Sequence, residues 1–290
     1  MQTERSFLEI IAEYVETDRV TLPPFDKTAM RIQQEIRKPD VHIGKIEKLI
    51  IADPAMSSQV LKMANSAFFR GLSKVATVRD AIVRLGLDEI TRIVLVLSQR
   101  KLYETNDTFI KNYRNRLWQH ALVCALVSQW VAKEAGYEEL TQETFFASLI
   151  HDIGKLFLIT VIEQIKKSGD IPFIPSNAII NEIISSQHSE QGYKLLKRWN
   201  LPERYISVAR EHHDEKFDTE NIPLIILRMV NKVCAKVGVS LDKYDDSTMS
   251  ISAEAGFFGF SEIKIAELEL QVEDAIKRVS SHYRMSPPGR

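Results

Sequence analysis

The stretch SLIHDIGKLFL, residues 148–158, constrains this chain more than any other. It is apolar enough to be core, yet it carries His151, Asp152 and Lys155. An imidazole, a carboxylate and an ammonium placed among Ile, Leu and Phe are costly unless each finds a partner. Any fold of this chain must therefore bring polar groups, a metal or a phosphate to this segment. The flanking text, QETFFASLIHDIGKLFLITVIEQIKK, has apolar residues at helical spacing and predicts a helix over 142–167.

The rest of the chain reads the same way, and the expected fold class is all-α. SFLEIIAEYV puts Phe7, Ile10, Ile11 and Tyr14 on one face, and KTAMRIQQEIRK repeats the pattern. Asp53 followed by Pro54 is an N-cap with proline at the first helical position. Thr77 with Asp80 three residues on resembles a capping box, and Gly86 ends that helix. The polar stretch YETNDTFIKNY, 103–113, marks a lobe boundary. Beyond it NRLWQHALVCALVSQWVAKEAG is apolar on most faces, which predicts a central helix. A Pro/Ser/Gly-rich loop at 168–177 precedes the helical AIINEIISSQHSEQGYKLLKRWN, and further helices follow to the C-terminus. IPFIPS, 171–176, is the one extended candidate, and the tail MSPPGR reads as disordered. The expected organisation is two helical lobes, residues 1–104 and 105–245, then a C-terminal helical extension over 246–290.

A formal net charge of -1 gives no global attraction for nucleic acid or an anionic membrane. The two cysteines, Cys124 and Cys234, lie in apolar helical patterns and read as buried thiols of a reducing compartment. The N-terminal text lacks the apolar core of a signal peptide, and no apolar run is expected to span a bilayer. These features lead to the expectation of a soluble, cytoplasmic protein.

Five of the seven histidines fall between residues 120 and 213: His120, His151, His188, His212 and His213. Imidazole and carboxylate are the usual ligands of borderline transition metals, and side chains from several helices can converge on one ion. Lys155, three residues after Asp152, shares its helix face and could meet a phosphate. Gly154 costs helix stability but admits a close neighbour. Each residue also has a bland reading: hydrogen-bonded core for His120, a solvated helix end for His212 and His213, surface for His188, a snorkelling side chain for Lys155. The ordered set of six favours a site.

That set carries a resemblance. SLIHDIGKL is similar to the signature of the HD superfamily of metal-dependent phosphohydrolases. The wider chain resembles its HDOD branch (HD-related output domain) through LPPF at 22–25, IIADPAMSSQVLKMANSAFFR at 50–70 and VATVRDAIVRLGLDEITRIVL at 75–95. The match continues through LWQHAL, HDIGKL, QHSEQGYKLLKRWNLPERY and EHHD. It implies an all-helical protein of bacterial signalling whose C-terminal lobe is an HD-like bundle, regulatory and often non-catalytic. Comparison with the HD-GYP phosphodiesterases, which cleave a cyclic dinucleotide, implies metal ligands at His120, His151, Asp152, His188, His212 and His213, and a phosphate contact at Lys155. Asp152 and Lys155 would be the catalytic pair in an active enzyme. Two positions depart. Arg116 stands where those enzymes have a ligating glutamate, and Asn231 where HD enzymes have the last ligating aspartate. Asn is the weaker donor and removes a charge, and Arg adds a repelling one.

The expected function is a regulatory output protein acting by partner or ligand binding, with a histidine kinase, a receiver domain or another regulator as partner. The expected cofactor is at most one divalent transition metal (Fe, Mn, Ni or Zn), held by the histidines, Asp152 and Asn231. The alternative is a metal-dependent phosphohydrolase acting on a nucleotide or cyclic dinucleotide. Nucleic-acid binding through Arg70, Lys74, Arg79 and Arg84 is the weakest reading, since a helical bundle solvates such residues anyway.

Overall fold

The computed structural model describes residues 7–17, 19–20, 22, 26–36, 38, 40–66, 69, 71, 73–169, 175–216, 218–241 and 253–282. Among these residues the regular structure is helical, with no strand. The helices are α1 (Phe7–Glu16), α2 (Lys27–Ile36), α3 (Ile43–Ile51), α4 (Pro54–Ala64), α5 (Val78–Leu85), α6 (Leu87–Arg100) and α7 (Thr108–Glu134). They continue as α8 (Thr141–Ile150), α9 (Ile153–Ser168), α10 (Asn177–Arg198), α11 (Glu203–Glu211), α12 (Ile222–Lys236), α13 (Ala253–Phe257) and α14 (Glu262–His282).

The chain forms two compact units, one of residues 23–102 and one of residues 1–22 with 103–290. The smaller unit is built from α2 to α6. Its core is made of residues at helical spacing, among them Ile32, Ile46, Ile50, Val60 and Ile82, all essentially inaccessible. The caps read in the sequence are present: Asp53 accepts from the Met56 amide at 3.0 Å and Thr77 from the Asp80 amide at 3.1 Å. Gly86 adopts φ +83°, which lets α5 stop and α6 start at one residue.

In the larger unit α7 is the central rod, with α8, α9, α12 and α14 packed on it. Its 27 residues begin inside the polar stretch taken as a boundary, because Asp107 caps it, accepting from the amides of Phe109 and Ile110. The α1 helix belongs to this unit and not to the N-terminal one. Ile10 and Ile11 are buried, and the Tyr14 hydroxyl donates to Ser168 Oγ at the end of α9 at 2.9 Å. The α14 helix is part of the same packed body, since Leu268 and Val272 are fully buried and the helix lies on α7 and α12. Residues 171–174 of the expected extended stretch and the tail 283–290 lie outside the described residues.

Two further expectations need correction. The single helix read over 142–167 is two helices, broken at His151 and Asp152. Polar side chains at a break can leave the helix cylinder and meet other elements. In addition, the stretch Glu138–Ser168 does contain an 18-residue window long and apolar enough to cross a membrane, with mean hydropathy 1.7, but 94% of that window is buried inside the fold. Its apolarity serves α8 and α9 as core.

The α9 and α10 helices approach at Gly154 and Gly192. A Cβ on Gly154 would lie 1.9 Å from the His188 carbonyl oxygen and 2.6 Å from the Gly192 amide nitrogen. Only glycine permits this contact, and the contact sets where His188 sits. In a free helix Gly154→Ala gains about 1 kcal/mol. Here it forces two backbones apart, and overpacking of this kind costs about 1–3 kcal/mol or more. The variant is therefore expected to be less stable by about 2 kcal/mol in urea unfolding. Equal or greater stability would show that the approach is not tight.

Candidate metal centre

The break between α8 and α9 delivers His151 and Asp152, the middle of α7 delivers His120, α10 delivers His188, and the end of α11 delivers His212. All are buried, none with more than 3% of its surface exposed. They converge on the Asp152 carboxylate, whose two oxygens face different groups. Oδ2 lies 3.4 Å from His120 Nε2, 3.3 Å from His151 Nε2 and 3.1 Å from Lys155 Nζ. Oδ1 lies 3.6 Å from His188 Nε2 and 3.5 Å from His212 Nε2. Lys155 is the one fixed cation on Oδ2, Oδ1 faces two imidazole nitrogens, and His151 Nε2 has no hydrogen-bond partner.

The imidazole tautomers follow from the backbone. His151 Nδ1 is 2.7 Å from the Ser148 carbonyl, His188 Nδ1 is 2.9 Å from the Ile184 carbonyl, and His212 Nδ1 is 3.0 Å from the Ala209 carbonyl. A carbonyl only accepts, so each Nδ1 carries its proton and the neutral ring offers the Nε2 lone pair. Such backbone-anchored rings are how metal-ligating histidines are oriented. His188 Nε2 and His212 Nε2 stand only 3.3 Å apart, an approach that calls for a shared proton or a cation between them. Burial, helped by the neighbouring His213, pushes His212 well below the usual histidine range, so it stays neutral and able to ligate. Burial also opposes the charge on Asp152, but its interactions with His151 and the Lys155 ammonium outweigh it and hold the carboxyl well below the usual range. The result is a buried anion surrounded by lone pairs. Orphaned buried oxygens and nitrogens of this type fit a borderline divalent ion.

The remaining expected residues fall as follows. His213 is exposed, with its ring centroid 4.1 Å from that of His212 and 5.1 Å from that of His188, at the outer edge of the cluster. Asn231 is buried on α12, which packs against α7 and α8, and its Oδ1 has no hydrogen-bond partner. Lys155 is fully buried rather than snorkelling. Arg116 is used differently from expectation. It is exposed, and its guanidinium donates to the Ser240 carbonyl at 3.0 Å. Of the basic residues read as a nucleic-acid face, Arg79 pairs with Glu47 at 2.6 Å and Arg84 donates to the Ser73 carbonyl at 2.6 Å, while Arg70 lies outside the described residues.

Sequence reasoning missed Arg228 and Glu254. The Arg228 guanidinium donates to the carbonyl of Glu211, next to His212, at 2.9 Å. Glu254, on α13, accepts from Arg228 Nε at 3.0 Å and from Lys232 Nζ at 2.7 Å. An arginine in the otherwise apolar face of ILRMVNKVC was the available signal.

Residues 22–215 match the HDOD domain family, and the chain belongs to that family. An uncharacterised Treponema pallidum protein is 26% identical over 205 residues, and the Bacillus subtilis protein YuxH is 34% identical over 68. The matched part of the chain spans 39% and 17% of these relatives' own lengths. Among solved structures, an HDOD domain protein of unknown function from Geobacter sulfurreducens superimposes with TM-score 0.74 at 21% identity, covering 96% of this chain and 98% of that one. A Shewanella amazonensis protein provisionally named a metal-dependent phosphohydrolase gives TM-score 0.65 at 16% identity, covering 93% and 98%. A Marinobacter aquaeolei protein provisionally named a signal transduction protein gives 0.67 at 22%, covering 97% and 61%. At these identities the structures establish a shared fold.

Glu254 is 1% exposed, and burial would raise its carboxyl, but Lys232 and Arg228 hold it below the ordinary glutamate range. A depressed carboxyl stabilises the fold above the unfolded-state pKa, and that contribution is lost as pH falls through the folded-state value. Glu254→Gln is expected to cost about 3 kcal/mol at neutral pH, in line with breaking a buried ion pair. The gap between variant and wild type should close in acid. Unfolding curves at neutral and acidic pH measure it, and a gap independent of pH counts against the ion pair.

Proposed function

We propose that this chain is a regulatory output protein of a bacterial signalling system, with an HD-like centre that holds one divalent transition ion and does not turn over a phosphoester. Asp152, His120, His151, His188 and His212 are the donors that would hold the ion, with His213 and Asn231 around them. Bound there, iron, manganese, nickel or zinc would supply Lewis acidity and lock four helices together.

The observation that carries this reading is the position of Lys155. Its ammonium is fully buried and lies 3.1 Å from Asp152 Oδ2. A lysine that meets a substrate phosphate has to face the space the substrate enters. This one neutralises the carboxylate instead. Asp152 is also the single carboxylate among the proposed donors, and Asn231 stands where a second would be needed. Anionic ligands offset the charge of hard divalent ions, so a second ion has little to hold it. The function then lies in what the ordered bundle presents to a signalling partner, with a kinase, a receiver domain or another regulator as the class of partner.

The second reading, a nucleotide or cyclic-dinucleotide phosphohydrolase, is favoured by the contiguous His151, Asp152 and Lys155 and by the provisional name of the Shewanella protein. One experiment separates the two. Elemental analysis of the purified chain is expected to find transition metal whose content falls by about one ion per chain in Asp152→Ala. Assays with manganese, iron, nickel or magnesium against nucleotides and cyclic dinucleotides are expected to show no turnover that depends on Asp152. Hydrolysis abolished by both His151→Ala and Asp152→Ala would replace the first reading with the second.

A further inference from the structure

The α7 and α12 helices bring the chain's two cysteines together. Cys124 and Cys234 are both fully buried, and their sulfur atoms lie 3.6 Å apart. Cys124 Sγ is 3.7 Å from each ring nitrogen of His120, and one ligand atom from each of the three residues lies within 4.8 Å of the others. His120 differs from its neighbours here. His151, His188 and His212 each tie Nδ1 to a carbonyl of their own helix, whereas the His120 nitrogens sit beside a thiol.

The two distances from Cys124 match those of a coordination polyhedron. Tetrahedral zinc, with Zn–S of about 2.3 Å and Zn–N of about 2.0–2.1 Å, sets two sulfurs about 3.8 Å apart and a sulfur and a nitrogen about 3.6 Å apart. Two unpartnered buried oxygens lie on the same two helices. Ser128, one turn beyond Cys124 on α7, and Asn231, one turn before Cys234 on α12, each carry a buried side-chain oxygen with no hydrogen-bond partner. Packing of two thiols explains the sulfur contact. It leaves the imidazole beside them and the two unpaired oxygens without an account.

We propose that Cys124, Cys234 and His120 form a second metal site, for a divalent thiophilic ion of the zinc class. The charges balance. Each of the two S–H groups releases a proton to solvent as its sulfur bonds the ion, and neutral His120 donates a lone pair, so the net charge of this buried region does not change. That removes the main penalty of burying a cation. His120 is shared between the sites, because its Nε2 also lies 3.4 Å from Asp152 Oδ2. An ion on the cysteines that takes His120 withdraws one imidazole from the Asp152 centre. The two sites would then be coupled through one ring.

Cobalt(II) is the probe. The full chain, reduced and stripped of metal, is titrated with cobalt(II) without oxygen. The expected result is a near-ultraviolet thiolate-to-cobalt charge-transfer band with strong visible bands of tetrahedral cobalt. The chain has two cysteines, so such a band can arise from this site alone. It should fall about twofold in Cys124→Ala or Cys234→Ala, persist in Asp152→Asn, and vanish when zinc is added. If the cysteine variants do not fold, the wild-type and Asp152→Asn spectra decide. Cobalt bound without a thiolate band overturns this site and leaves the Asp152 centre standing. A thiolate band that survives in Asp152→Asn supports it even if the Asp152 centre binds no metal.

Discussion

One carboxylate, Asp152, is buried with four imidazoles and one ammonium within 3.6 Å of its oxygens. The architecture of the larger unit can be traced from this arrangement. An anion of that kind needs positive charge on both oxygens. Lys155 supplies it to Oδ2 from the next turn of α9. Oδ1 faces His188 and His212, which offer lone pairs. The asymmetry explains why α7, α9, α10 and α11 all end up with a polar side chain aimed at one point. Each helix hides an otherwise apolar face and contributes one donor.

Backbone contacts make the convergence possible. The α8–α9 break releases His151 and Asp152 from the helix cylinder. The Gly154–Gly192 approach lowers α10 onto α9, closer than any side chain would allow, and so sets the depth of His188. The Arg228 guanidinium fastens the end of α11 at Glu211, which fixes His212. Glu254 anchors that guanidinium in turn. Ring orientation is then closed by the three Nδ1–carbonyl bonds. The site is framed by helix packing and backbone hydrogen bonds.

Much of this was legible in the sequence, and the limits have physical causes. Helices announce themselves through apolar spacing, and Asp53 and Thr77 through cap chemistry, because both signals are local. The six residues of the HDIGK cluster were legible as a set because their order matches a known family pattern. The break inside 142–167 was not, since Ile, Leu and Phe on both sides of His151 read equally well as one helix. The position of α1 was also hidden. Its apolar face shows that it must pack, but only the tertiary structure shows that it packs on α9. Arg116 illustrates the reverse error. Alignment to a family put its charge at the centre, whereas the guanidinium reaches Ser240.

The two cysteines show how one residue can belong to two chemistries. From sequence alone Cys124 and Cys234 are small apolar side chains on buried helix faces, and nothing local sets them apart. Packing α7 against α12 turns them into a pair, and places that pair beside His120, whose ring nitrogens lie 3.7 Å from the Cys124 sulfur. Imidazole suits both the borderline ion expected at Asp152 and the thiophilic ion expected at the cysteines. His120 can serve either centre, but one ring nitrogen cannot bond both ions at once. Occupancy at the sulfurs therefore bears on donor number at Asp152, and through it on how firmly α7 is tied to α9, α10 and α11. Under the proposed output role, that coupling would be a physical route from metal supply to output.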